Sequence, residues 1–96
     1  MGERTAERDA EFQVFVTTAW SRLSRTAFLL AGDRHTAEDL VQTTLEKTYV
    51  AWARVRRTDD PYAYVRRILL NEQAGRFRGR VPVFLVPGVR ERRAPD

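Results

Sequence analysis

Three stretches of the chain set their apolar residues on one side of a helix. In the first, Phe12, Val16, Ala19, Leu23, Ala27 and Leu30 recur at 4-3-4-4-3 spacing, the repeat of a helical stripe. Phe15 and Trp20 widen that stripe. The pattern predicts a helix over 9–30, with Asp9 and Glu11 in its first turn, where carboxylates suit the helix dipole. Gly32 stands just past its end, the usual place for a helix-stopping glycine.

The second stripe is Val41, Leu45, Thr48, Trp52 and Val55, flanked by Leu40 and Tyr49. Thr36-Ala37-Glu38-Asp39 resembles a capping box and predicts the helix start at Thr36. Arg54, Arg56 and Arg57 fall at the far end, where cations are favoured. A polar linker over 57–59 leads to Asp60-Pro61, an N-cap followed by proline at the first helical position. The third helix runs to about Arg78, with Tyr64, Val65, Ile68 and Leu69 as its apolar face. Gly75 and Gly79 weaken its last turns by about 1 kcal/mol each relative to alanine. Beyond it, Val81-Pro82-Val83-Phe84-Leu85-Val86-Pro87-Gly88 is apolar and proline-bounded, and reads as extended rather than helical.

These elements predict an all-α fold, a small antiparallel bundle of three to four helices with an irregular C-terminal tail. The expected division is a flexible N-terminus over 1–8, a helical domain over 9–80, and an extended or disordered tail over 81–96. A chain of 96 residues, 43% hydrophobic, is one small domain whose core is modest.

Composition removes several chemistries. Zero cysteines exclude a disulfide scaffold, a zinc ribbon and a thiol nucleophile. The lone His35 excludes the usual multi-histidine metal site. No apolar run approaches the roughly 20 residues that span a bilayer, and the charged N-terminus lacks a signal-peptide core. Asp59 and Asp60 are neighbours, as are Glu38 and Asp39, so neither pair faces one site as a catalytic dyad would. The expectation is a cytoplasmic protein that is not an enzyme, with no cofactor and no membrane partner.

The formal charge of +4 is unevenly spread. Residues 1–53 are net −2, whereas residues 54–80 carry eight arginines against three acids, a net of +5. On the third helix Arg66, Arg67, Asn71, Arg76 and Arg78 lie around the polar side, with Tyr62 and Tyr64 at its start. Arginines neutralise phosphates, aromatics stack on unpaired bases, and asparagine can pair with a base edge. A solvated arginine face with half-buried tyrosines would give the same pattern, so both readings stay open. On the second helix Asp39, Gln42 and Glu46 form a polar ridge that could dock on a partner helix or simply face water.

Two motifs narrow the choice. Ala37-Glu38-Asp39-Leu40-Val41-Gln42, followed by Thr48-Tyr49 and Trp52, resembles region 2.2 of bacterial extracytoplasmic-function (ECF) sigma factors. Asp60-Pro61-Tyr62-Ala63-Tyr64-Val65-Arg66-Arg67-Ile68-Leu69-Leu70-Asn71 resembles their regions 2.3 and 2.4. The first helix, with Arg25-Thr26-Ala27-Phe28-Leu29-Leu30-Ala31-Gly32-Asp33, is similar to the opening of the same domain, so the likeness spans 11–80.

The resemblance implies a transcription initiation factor with two kinds of partner. The second helix would dock on the β′ clamp helices of RNA polymerase through Asp39, Leu40, Gln42, Thr43 and Glu46, with Thr43 in a place often held by Glu. The third helix would recognise and melt the promoter −10 element, holding the non-template strand. That role falls to Tyr62, Tyr64, Arg66, Arg67, Asn71, Arg76, Arg78 and Arg80. Tyr64 stands where Trp is common, and Gly75 replaces a frequent Asp.

Family members continue into a helix-turn-helix region 4 that reads the −35 element. The residues after Arg80 do not suit it, so the expectation is a region 2 domain without region 4, excised or naturally truncated. An anti-sigma factor is a further partner that the resemblance allows. The alternative reading is a sigma-like interaction module that binds polymerase or an anti-sigma factor without initiating transcription. A small RNA-binding domain fits the charge but not the second helix.

Overall fold

The structure, a computed structural model, describes the backbone of residues 2–80 and the side chains of residues 4–76. The 81–96 tail lies outside the described residues. Four helices follow in order: α1 (Gly2–Ala31), α2 (Arg34–Val50), the single turn α3 (Trp52–Val55) and α4 (Pro61–Arg80). The described residues are all-α, as the periodicity predicts.

Helix α1 begins well before Asp9, and at 30 residues it is about 45 Å long. Its early turns are held from α2 and α3. Arg8 donates to the Tyr49 carbonyl at 2.7 Å and lies over the Tyr49 ring at 4.6 Å. The Tyr49 hydroxyl donates to Asp9 at 2.7 Å. Glu11 accepts two bonds from the Arg56 guanidinium, at 2.7 and 3.0 Å. Asp9 and Glu11 therefore bind across helices from within α1 rather than serving its first turn.

Gly32 ends α1 at a φ of +89°, a left-handed conformation that side chains resist, and its N–H bonds the Phe28 carbonyl at 2.9 Å. Asp33, not Thr36, caps α2. Its carboxylate accepts from the Thr36 N–H at 2.8 Å and from the Thr36 hydroxyl at 2.9 Å. Two capping residues stand three apart here, and the carboxylate is the stronger acceptor for the exposed N–H. That bond holds the Asp33 carboxyl below its ordinary range.

The apolar repeat of α2 predicts an unbroken helix through Val55, yet the backbone departs from helical geometry at Ala51 (φ −95°, ψ 12°). Trp52 follows the break, almost wholly buried, with the rings of Phe12 and Phe15 each 5.3 Å from its own. Such edge and tilted ring contacts add to the burial of apolar area. Asp60 caps α4 as expected, accepting from the Ala63 N–H at 3.2 Å.

α1 and α2 run antiparallel across their two-residue turn. α4 lies in the groove between them, parallel to α1 and antiparallel to α2. The core joins Ala19, Leu23 and Ala27 of α1 to Ala37, Leu40 and Val41 of α2, with Trp52, Val55, Val65 and Leu69. Thr44 and Thr48 are also fully buried. The Thr48 hydroxyl donates to the Thr44 carbonyl at 2.7 Å, but the Thr44 hydroxyl has no partner. Trp20 departs from the expected core stripe: it is half exposed on the flank of α1 away from α4.

Candidate functional site

Two surfaces carry the residues singled out in the sequence. The first is the outer face of α2. Asp39, Gln42 and Glu46 are exposed along one row, and the Gln42 amide donates to Glu46 at 3.3 Å. Val50, 81% exposed, continues the row at its end. Leu40 is not part of it. That side chain is fully enclosed in the core, so it holds the helix in place and offers no surface to a partner.

The second surface is a basic cleft between α1 and the start of α4, about 350 Å³ in volume. Tyr62 and Arg66 line it from α4, and Arg22, Arg25 and Leu29 line it from α1. The Arg22 guanidinium lies 3.8 Å from the centre of the Tyr62 ring, in cation–π contact. Three guanidinium groups thus share one cleft with Tyr62, of which Arg22 covers the ring, and the one carboxylate beside them, Asp60, is already engaged as the α4 cap. Chemically, the cleft suits a flat group carrying an anion.

The other predicted residues of α4 do not converge there. Residues two apart on a helix point about 160° from each other, so Tyr62 and Tyr64 leave α4 on different sides. Tyr64 packs half-buried against the core, and Arg67 and Asn71 are exposed outside the cleft. Arg76 points to α2. Its guanidinium donates to Asp39 at 2.9 Å and to the Thr43 hydroxyl at 3.0 Å, and it contacts Glu72 at 3.4 Å. Glu72 also pairs with Lys47 at 2.7 Å, and mainly for that reason its carboxyl lies below the ordinary range. The side chains of Arg78 and Arg80 lie outside the described residues.

Residues 15–81 match the Sigma-70 region 2 family. The chain belongs to that family. Among curated proteins it is similar to the RNA polymerase sigma-E factor of Streptomyces coelicolor, 36% identical over 70 residues that make up 73% of this chain and 40% of the relative. The sigma-E factor of Streptomyces avermitilis is also 36% identical over 70 residues, covering 73% of this chain and 39% of the relative. That of Streptomyces antibioticus is 34% identical over 84 residues, covering 83% and 47% respectively. The chain therefore spans less than half the length of these relatives. No solved structure matches it.

Within this region 2 domain, the sequence motifs locate both surfaces but miss half of the cleft. Arg22 and Arg25 sit three apart on the polar side of α1, with nothing local to mark them. Their link to Tyr62 and Arg66 crosses some forty residues of chain. Only the parallel packing of α1 on α4 reveals it.

Among the described residues, no group of acidic or histidine side chains could hold a metal ion, and no helix is long and apolar enough to cross a membrane.

Proposed function

We propose that this region 2 domain takes part in transcription initiation by holding RNA polymerase on α2 and the opened −10 element on α4. The observation that carries the reading is the cleft that Arg22, Arg25 and Arg66 line together with Tyr62. Guanidinium groups neutralise the phosphates of a single strand, and the half-buried Tyr62 ring stacks on an unpaired base once Arg22 turns from it to a phosphate. Stacking is worth about 1–3 kcal/mol per base, which favours the melted strand over the duplex. Tyr64, Arg67 and Asn71 extend the DNA surface along α4, with Asn71 reading a base edge. Arg76 acts differently in this reading: bound to Asp39 and Thr43, it positions α4 against α2.

The polymerase contact falls to Asp39, Gln42, Thr43 and Glu46, with the β′ clamp helices as partner. Support comes from the family membership together with the exposed row on α2. The row and the cleft lie on different sides of the domain, so both partners can be held at once. The domain then works in the cytoplasm as a binding module, without catalysis of its own.

Capture of a β′ clamp-helix fragment tests the docking half. Gln42→Ala and Glu46→Ala should weaken it, and full capture by both variants removes α2 from the interface. Binding of single-stranded −10 DNA tests the other half, where Asn71→Ala should lower sequence preference. Run-off transcription with core polymerase separates an initiating domain from a module that only occupies polymerase or an anti-sigma factor.

A further inference from the structure

A second basic cleft lies between the early turns of α1 and the single turn α3. It has a volume of about 300 Å³ and is lined by Arg4, Glu7, Arg8 and Glu11 of α1 and by Ala53 and Arg56 of α3. Glu11 is engaged by Arg56, whose guanidinium bonds it at 2.7 and 3.0 Å. Arg8 is held by the carbonyl and the ring of Tyr49, which are neutral and leave its charge uncompensated. With Arg56 and Glu11 cancelling, Arg4 and Arg8 stand against Glu7, and the cleft is net positive. Arg4 and Arg8 precede residue 15, where the family match begins, so the matched region does not include them.

We infer that this cleft binds the phosphate backbone of the duplex DNA that borders the melted −10 element. The inference rests on the reading of the Tyr62 cleft as the single-strand site and extends it. Three observations select this ligand. The first is direction. Arg4 and Arg22 stand eighteen residues apart on one unbroken helix, about five turns, so both leave α1 on the same side. Arg8 lies about 40° from that direction. The two clefts therefore follow one another along one face of α1, with α3 and the start of α4 beside it.

The second is spacing. At about 1.5 Å of rise per residue, Arg8 and Arg4 stand about 21–27 Å along α1 from Arg22. One strand of a duplex advances about 3.4 Å per nucleotide, so this is a distance of about six to eight nucleotides. Such a separation puts the second cleft beyond a short melted segment, at the duplex next to it.

The third is chemistry. The two clefts and the exposed Arg57 and Asp59 of the linker bring seven arginines against four acids. Two of those acids, Glu11 and Asp60, are already bonded within the protein. Positive charge at intervals along a rod suits a repeating anion. The second cleft offers no ring for stacking, since no aromatic lines it and Arg8 lies over the nearby Tyr49 ring. It therefore suits duplex, whose bases are stacked inside and whose phosphates face outward, rather than an unpaired strand.

The test is fluorescence anisotropy on the full chain over a series of salt concentrations. The probes are a −10 single strand, and the same strand extended on one side or the other by about ten base pairs of duplex, one helical turn. At least one extended probe should bind fivefold tighter or more, and steepen the slope of log affinity against log salt by about 1.8, the value for two phosphate contacts on duplex. Arg4→Ala/Arg8→Ala should lose both gains and bind the bare strand like the parent. No gain from either flank, or gains that the double variant keeps, would overturn the proposal. Tighter binding of an RNA duplex than of the same DNA duplex would overturn it too. Arg8 also braces Tyr49, so Arg8→Lys is the control: it keeps the charge and should keep the slope. Loss of the slope in that variant would leave Arg8 a structural role alone and reject the contact. The flanking duplex without the −10 strand should show the same difference in slope between parent and double variant. Failure of the −10 reading would appear on the bare strand, and failure of this one on the duplex.

Discussion

Arg76 binds Asp39 across the α2–α4 interface at 2.9 Å. The pair joins a residue expected on DNA to a residue expected on polymerase, and each becomes the other's partner. The same guanidinium reaches Thr43 and Glu72, and Lys47 closes the network on Glu72. The orientation of α4 on α2 is therefore fixed by charge as well as by Val65 and Leu69 in the core.

Arg76→Ala should destabilise the domain by about 1 kcal/mol, the scale of a partly exposed ion-pair network. A melting temperature lower by about 4–8 °C would match that loss for a domain of this size. The salt dependence of DNA binding should be unchanged, because this arginine meets carboxylates rather than phosphates. A flatter salt slope would return Arg76 to the DNA surface.

Arg22→Ala should weaken binding of single-stranded −10 DNA and flatten the dependence of log affinity on log salt by about 0.7, the value for one phosphate contact on a single strand. Tyr62→Ala should cost about 1–3 kcal/mol of affinity with little change in that slope, since stacking releases few counterions. Titrations at several salt concentrations distinguish the two.

The unpartnered Thr44 hydroxyl is a cost in the core. Thr44→Val keeps the shape and removes the buried polar atom, so it should raise stability by about 1 kcal/mol in chemical denaturation. Thr48→Val is the control: its hydroxyl is bonded to the Thr44 carbonyl, and the exchange should bring no gain.

Acid should loosen the fold. Hydrogen bonds from Thr36, Arg56 and Lys47 hold the carboxyls of Asp33, Glu11 and Glu72 below their ordinary range. A carboxylate depressed in the folded state contributes stability above its unfolded pKa, and that contribution fades as pH falls through the folded value. Denaturation midpoints should be flat near neutrality and drop below about pH 4. Glu72→Gln should be less stable than the parent at neutral pH, and the gap should close in acid.

Much of this was legible in the sequence. Helical repeats gave the elements, Asp60-Pro61 gave the start of α4, and Gly32 gave the end of α1. Local chemistry decides each of these. The break at Ala51 was not legible, because the apolar spacing runs straight through it and the aromatic packing around Trp52 comes from α1. The early start of α1 depends on Tyr49 and Arg56, some forty residues on. Of the candidate site residues, Leu40 flanks the apolar stripe of α2 and so could be read as inward, whereas nothing in the α2 motif showed that Asp39 is held by Arg76. The arginine pattern of α4 could not show that Tyr62 and Arg66 share a cleft with α1 while Tyr64 and Asn71 do not.

Gly32 also bears on the order of assembly. With only Gly32 and Asp33 between α1 and α2, the hairpin closes at a small entropic cost, and its contacts form early. α4 then meets a groove already built. Gly32→Ala forces a side chain into a left-handed backbone, although the space beside it is empty. Its penalty should therefore fall on the folding rate, with the unfolding rate nearly unchanged. During synthesis, the hairpin would stand complete before the helix that carries the arginines has left the ribosome.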